Sequence, residues 1–155
     1  MQQISTLIVD DEPLARERLR GLLKAEPGIS VIGECENGAD ALLVIRHAQP
    51  DLVFLDMQMP GCDGLQFIAR LPAGRRPAII FATAHERFAL DAFDAAAVDY
   101  LLKPFDRERL RVALDRAREH LRRRAAAEPG ARPEPAGPSP RNSRLAVKTD
   151  GRIVF

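Results

Sequence analysis

Five short apolar runs divide the front of the chain: Ile4-Ser5-Thr6-Leu7-Ile8-Val9, a loosely alternating stretch over 29–34, Leu52-Val53-Phe54-Leu55, Ala78-Ile79-Ile80-Phe81-Ala82, and 98–102. A short apolar run closed by turn residues reads as a strand buried on both faces, as in a parallel sheet covered by helices. Between these runs the apolar positions change to helical spacing. Leu14, Leu19, Leu22 and Leu23, with Arg18 among them, follow Pro13, which suits a first helical turn. Ala41, Leu42, Ile45 and Ala48 follow the Asn37-Gly38 turn. Leu65, Phe67, Ile68 and Leu71 form a third group, and Phe88, Leu90 and Phe93 a fourth within 86–96. Leu110, Ala113, Leu114, Ala117 and Leu121 line the inner face of a last amphipathic helix over 107–124.

Five strands alternating with five helices specify a doubly wound parallel α/β sheet, because parallel neighbours need crossovers and the crossovers are helices. Right-handed crossovers leave few topologies. The expected one is the flavodoxin-like order 2-1-3-4-5, with strands one and three adjacent at the switch point where such sheets bind ligands. This unit spans 1–124. Residues 125–143 then carry five prolines, Pro129, Pro133, Pro135, Pro138 and Pro140, and no large apolar side chain, which predicts an extended linker. Residues 144–155 read as two strands around an Asp150-Gly151 hairpin turn, the opening of a second, β-rich domain that is cut off.

Composition adds little to this picture. The 155 residues are 46% hydrophobic and 29% charged, an ordinary globular balance, and a net charge of +1 argues neither for nor against nucleic acid. No charged-then-apolar leader opens the chain, and no apolar run approaches the ~20 residues of a membrane span. The expectation is a cytoplasmic protein without a membrane partner. Cys35 and Cys62 lack CxxC spacing and are expected to be free thiols.

Charge placement is more informative. Asp10-Asp11-Glu12 ends the first strand, Asp56 ends the third, Thr83 the fourth, and Lys103 follows the fifth. In the expected strand order these ends converge. Like charges about 4 Å apart repel by roughly 4 kcal/mol at an effective dielectric near 20, so three acids call for a counter-charge. A hard divalent cation such as Mg²⁺ takes a few oxygen ligands and keeps open positions that phosphoryl oxygens can fill. Lys103 and Thr83 would complete an anion site. The chemistry suggested is attack of the Asp56 carboxylate on a phosphoryl donor, giving an aspartyl phosphate that hydrolysis resets.

Asp10-Asp11, Asp56 with Met59-Pro60-Gly61, Thr83-Ala84 and Lys103-Pro104, in that order and spacing, resemble the receiver domain of bacterial two-component response regulators over residues 4–124. The resemblance implies that Asp56 is the phosphoacceptor, supplied by a sensor histidine kinase. It implies that Asp10, Asp11, Asp56 and the backbone carbonyl of Gln58 surround Mg²⁺, that Thr83 and Ala84 meet the phosphoryl group, and that Lys103-Pro104 is a cis peptide. It further implies a switch in which Thr83 moves toward the phosphoryl oxygen and the Tyr100 ring turns inward. That switch would reshape the fourth helix, fifth strand and fifth helix, and so promote a homodimer. The segments 81–85 and 97–105 resemble receivers that precede a LytTR-type DNA-binding domain, which implies promoter DNA as the partner of the part that follows.

Other residues have plainer readings. His85 is a loop histidine that could face the site, and His47 and His120 are helix-surface residues. The arginines from Arg116 to Arg124, interleaved with Glu119, read as a solvated helix face or dimer contact rather than a nucleic-acid stripe. Two rival functions are weighed against a phosphorylation-switched regulator that is no enzyme in the ordinary sense. A phosphohydrolase of the haloacid-dehalogenase type needs an acid two residues after its nucleophile, and that position holds Gln58. A receiver fold kept only for docking would be expected to lose part of the acid, Thr and Lys set, which is complete here. A receiver with an output other than DNA binding also stays open.

Overall fold

The structure, a computed structural model, describes residues 3–59, 64–71, 76–85 and 97–127. Strands β1 (Ile4–Val9), β2 (Ile29–Cys35), β3 (Leu52–Asp56), β4 (Ala78–Thr83) and β5 (Asp99–Leu102) form one sheet in the order β2-β1-β3-β4-β5, every pair parallel. Helices α1 (Pro13–Lys24), α2 (Gly38–Ala48), α3 (Gly64–Ala69) and α4 (Arg107–Ala127) cover it. The expected helix over 86–96 lies outside the described residues, as do the loop at Pro60, Gly61, Cys62 and Asp63 and everything after Ala127.

The apolar runs sort themselves by the two-residue alternation of a strand. Leu52 and Phe54 of β3 join Ile8, Ile80 and Leu101 in a layer closed by Leu19 and Leu23 of α1 and by Leu110, Ala113, Leu114 and Ala117 of α4. Val53 and Leu55 join Leu7, Val9, Ile79 and Phe81 in the opposite layer, under Ala41, Val44 and Ile45 of α2 and Phe67 of α3. An uninterrupted apolar strand is thus the signature of two cores sharing one sheet. The edge strand β2 is only partly buried until Cys35, and a bulge at Ile32 lets Gly33, Glu34 and Cys35 pair with Leu7, Ile8 and Val9. Glu34 is thereby brought level with the end of β1.

Local chemistry sets the connections. Asn37 caps α2, its side chain accepting from Asp40 N–H at 2.8 Å. Gln49 leaves the helix in the left-handed region, φ 49°. Asp51 ties the entry of β3 to β1, its carboxylate accepting from Ser5 N–H at 3.0 Å and Ser5 Oγ at 3.1 Å.

Three expectations are corrected. Leu14, placed in the apolar stripe of the first helix, is 79% exposed, because the first turn of α1 follows the acidic corner directly and does not lie over the sheet. Arg18 is exposed too, and reaches across to accept no core role: it donates to the Phe105 carbonyl at 2.5 Å and stacks 5.3 Å from the Phe105 ring. The last helix runs on through Ala127, three alanines past the expected end, in keeping with the high helix propensity of that residue.

The shared sheet makes the centre of β3 the position where truncation costs most. Phe54, 1% exposed, truncated to alanine is expected to lower unfolding free energy by about 3–5 kcal/mol. Leu43→Ala, on the solvent side of α2 at 52% exposure, should change it by no more than about 0.5 kcal/mol. Urea unfolding followed by circular dichroism measures both.

Candidate functional site

The carboxyl ends of β1 and β3 are neighbours because those strands pair directly, Val9 opposite Leu55. Each chain therefore emerges on the same edge with its acids side by side. One carboxylate oxygen each from Asp10, Asp11 and Asp56 lies within 4.8 Å of the other two. Asp10 and Asp56 are buried, and Asp11 is the more open of the three. Both buried acids fold their own loops back. Asp10 Oδ1 accepts from Glu12 N–H at 3.0 Å and Asp56 Oδ1 from Gln58 N–H at 3.1 Å, which leaves the second oxygen of each turned to the site.

Lys103 enters from the far side of the sheet. Its N–H donates to the Thr83 carbonyl at 2.7 Å, continuing the β4-β5 ladder, and the cis peptide to Pro104 follows. The ammonium lies 2.7 Å from Asp10 Oδ2, 3.5 Å from Glu12 Oε1 and 3.8 Å from Asp56 Oδ2. Its closest partner is thus Asp10 rather than Asp56. Burial works against the charged amine, but the Asp10 hydrogen bond and the charges of Asp56, Asp10 and Glu12 outweigh it and hold Lys103 above its usual range. Burial also dominates at Asp56. It pushes the carboxyl up from 3.8 to about 6, with Asp10 and Asp11 adding repulsion and only Gln58 N–H and Lys103 opposing.

Among the described residues, Lys103 is the one cation within 4 Å of these acids' carboxylates, which leaves the corner short of positive charge. The donor set is hard oxygen, spaced so that a single small ion could touch all three carboxylates, and this fits a divalent cation of the Mg²⁺ type.

The other expected site residues are set around this core. Thr83 is fully buried, and its Oγ1 accepts from His85 N–H at 3.1 Å. Ala84 and His85 are exposed on the loop beyond. Tyr100 is half-buried against the layer under α2 and α3, and its backbone is held on both sides. Tyr100 N–H donates to Asp99 Oδ1 at 2.8 Å, while Arg109 Nη2 donates to the Tyr100 carbonyl at 2.8 Å. Arg109 also grips Asp99 through both guanidinium ends at 2.9 and 3.0 Å, and Arg116 lies 3.0 Å from the same carboxylate. Burial alone would raise Asp99, but the Arg109 and Tyr100 hydrogen bonds and the two arginine charges bring it below its usual value. Cys35 is a buried free thiol, raised by burial and then by Asp40 to about 11, with Arg16 opposing. At that value it is a poor nucleophile.

Two contributors escaped the sequence reading. Glu12 joins Lys103, and Arg16 donates to the Asp10 carbonyl at 2.6 Å. Glu12 could have been found, standing in the acidic triplet. Arg16 could not, because on a helical wheel it is one more polar residue of α1.

Strand order and acid corner together point to a signalling receiver domain. The chain belongs to that family: the description "Response regulator receiver domain" matches residues 6–115. It is 47% identical over 116 residues to the "Transcriptional regulatory protein BtsR" of Salmonella typhi, covering 75% of this chain and 48% of that protein. It is 45% identical over 148 residues to the "Positive alginate biosynthesis regulatory protein" of Pseudomonas aeruginosa, covering 94% of this chain and 59% of that one. The chain therefore spans about half the length of these relatives. Among solved structures, the response regulatory domain of mrkE from Klebsiella pneumoniae superposes with a TM-score of 0.71 at 30% identity, over 77% of this chain and 99% of that one. The receiver domain of a NarL response regulator from Mycobacterium tuberculosis gives 0.66 at 31%, over 76% and 98%. Among the described residues, no helix is long and apolar enough to cross a membrane.

The raised Asp56 carboxyl has a measurable cost. Below pH 3.8 both folded and unfolded chains keep the proton; between 3.8 and about 6 the unfolded chain releases it first, so stability falls as pH rises through that window. Asp56→Asn removes the penalty. Without divalent cations at pH 7.5 the variant is expected to be more stable than wild type by about 1–3 kcal/mol, and the gap should close at pH 3.5. Equal urea midpoints at pH 7.5 would contradict this.

Proposed function

We propose that this chain is the phosphoacceptor receiver of a two-component response regulator acting in the cytoplasm. Asp56 takes a phosphoryl group from a phosphohistidine of a sensor kinase. An Asp56 carboxylate oxygen forms the new O–P bond, the P–N bond to imidazole breaks, and the imidazole leaves with its electron pair and is reprotonated from solvent. Asp10, Asp11, Asp56 and the carbonyl of Gln58 would hold Mg²⁺, which supplies positive charge against the phosphoryl oxygens when bound. Lys103 would turn its ammonium from Asp10 toward a phosphoryl oxygen, and Thr83 Oγ1 and Ala84 N–H would donate to another. The observation that carries this reading is the meeting of three acids and one lysine on the sheet edge, in a chain that belongs to the receiver family.

The regulatory part follows from the same contacts. Thr83 Oγ1 accepts from the His85 N–H and keeps its own proton to donate to a phosphoryl oxygen, and Tyr100, whose main chain is held on both sides, would answer with its ring. Phosphorylation biases such a two-state element by the difference in its contacts with the two states. The face that carries β5 and α4, together with the helix expected from the sequence over 86–96, would then pair two copies and bring two LytTR-type DNA-binding domains onto promoter half-sites. Support for that output is the alginate regulator's similarity, which covers 94% of this chain and so runs on beyond the receiver.

Incubation with acetyl phosphate and Mg²⁺, followed by mass spectrometry, tests the proposal. Wild type is expected to gain one phosphoryl group that is lost with time and is absent in Asp56→Asn. No added group, or one that survives Asp56→Asn, would contradict it.

A further inference from the structure

Asp10 uses every polar atom it has. Its N–H donates to the Cys35 carbonyl at 3.0 Å, its Oδ1 accepts from Glu12 N–H at 3.0 Å, and its Oδ2 accepts from Lys103 at 2.7 Å. The remaining atom, the backbone carbonyl, accepts from Arg16 Nη1 at 2.6 Å. The first three partners are backbone groups or the site's own lysine. Arg16 differs from Lys103 in that its charged side chain holds the backbone of the corner rather than a carboxylate.

Arg16 is itself fixed. Its Nε donates to Glu34 Oε1 at 3.3 Å, and the other Glu34 oxygen pairs with Arg20. The Arg16 side chain is 17% exposed and Glu34 24%, so this is a half-sheltered pair and no loose surface contact. A guanidinium is a rigid planar fork: with Nε bound to Glu34, the direction of Nη1 is set. The Asp10 carbonyl lies in one plane with the nitrogen and Cα of Asp11. Holding that oxygen therefore holds the direction in which Asp11 leaves the strand. The β2 bulge contributes as well, since it is what sets Glu34 opposite Ile8.

We infer that Arg16 is a positioning residue for the metal corner, orienting the Asp10–Asp11 peptide so that both carboxylates face Asp56, with Glu34 of β2 as its anchor. The inference rests on the reading of these acids as a Mg²⁺ site. The sign of the effect separates it from other roles. A fixed positive charge near the acids opposes a divalent cation, so if charge were all Arg16 contributed, its removal would tighten Mg²⁺ binding. A role in stability alone would leave the Mg²⁺ affinity of the folded protein unchanged. Loss of orientation weakens it.

Isothermal titration calorimetry of the full chain with MgCl₂ reads this directly, with folding of each variant checked by circular dichroism. Arg16→Gln is expected to weaken Mg²⁺ binding about tenfold. Arg16→Lys, which keeps the charge and one donor but not the fork, should fall between Gln and wild type. Glu34→Gln leaves the Arg16 charge in place and loosens its anchor, and should also weaken binding, by less. Unchanged or tighter binding in Arg16→Gln overturns the inference, as does a lysine variant weaker than the glutamine one. If Arg16→Gln does not fold, Arg16→Lys decides, since it keeps the charge and loses only the fork: weaker binding supports the inference, and unchanged or tighter binding overturns it. A wild-type chain that takes up no Mg²⁺ overturns the metal-site reading itself, and that result is visible before any variant is made.

Discussion

The repulsion among Asp10, Asp11 and Asp56, only partly answered by Lys103, is the constraint from which the rest of the molecule is best understood. Carboxylates this close are costly, and a chain keeps them together only if its scaffold over-determines their positions. Here the scaffold is the β1-β3 pair, buried on both faces and closed by two separate apolar layers. Among the described residues, several connections that bear on the site are tied down. Asp51 clamps the entry of β3 to Ser5, Glu12 and Gln58 N–H groups turn the two acid loops, and the Thr83 carbonyl sets the Lys103 backbone. Packing energy from the sheet thus holds an electrostatic arrangement that is unfavourable on its own terms.

That imbalance connects structure to the proposed activity. A site short of positive charge is ready to take a cation, and an acid pushed up to about 6 by burial gains most from its arrival. Lys103, now closest to Asp10, is the group whose allegiance would change. Its backbone N–H donates to the Thr83 carbonyl, and β5 beside it carries Tyr100, whose main chain the Asp99–Arg109–Arg116 cluster locks to α4. The acid corner is therefore linked to α4 by a short chain of contacts: the Lys103 N–H to the Thr83 carbonyl, and the Tyr100 carbonyl to Arg109.

How much of this could be read from the sequence depends on whether the deciding force was local. The strands were legible because being buried on both faces leaves an unbroken apolar run, and their order was the commonest of the few that right-handed crossovers leave. The acids were legible because each stands at the end of such a run. Leu14 misled because period alone does not say where a helix leaves the sheet. Arg16 was invisible because its partners, the Asp10 carbonyl and Glu34, are contributed by backbone geometry and by a bulge in a different strand. The preference of Lys103 for Asp10 over Asp56 is a matter of about an ångström, which residue spacing does not encode. Asp99 reads as one polar residue in an apolar strand, and only the folded chain brings Arg109 and Arg116 against it.

The central claim is that the three acids form one cation site, and its most direct measurement is thermal unfolding against Mg²⁺ concentration at constant ionic strength. A saturable rise in Tm is predicted, worth about 2.7 kcal/mol when Mg²⁺ reaches a hundredfold excess over its Kd, and absent when Asp10 and Asp11 are both replaced by asparagine. A Tm that does not respond to Mg²⁺, or that rises equally in the doubly substituted chain, would contradict the account.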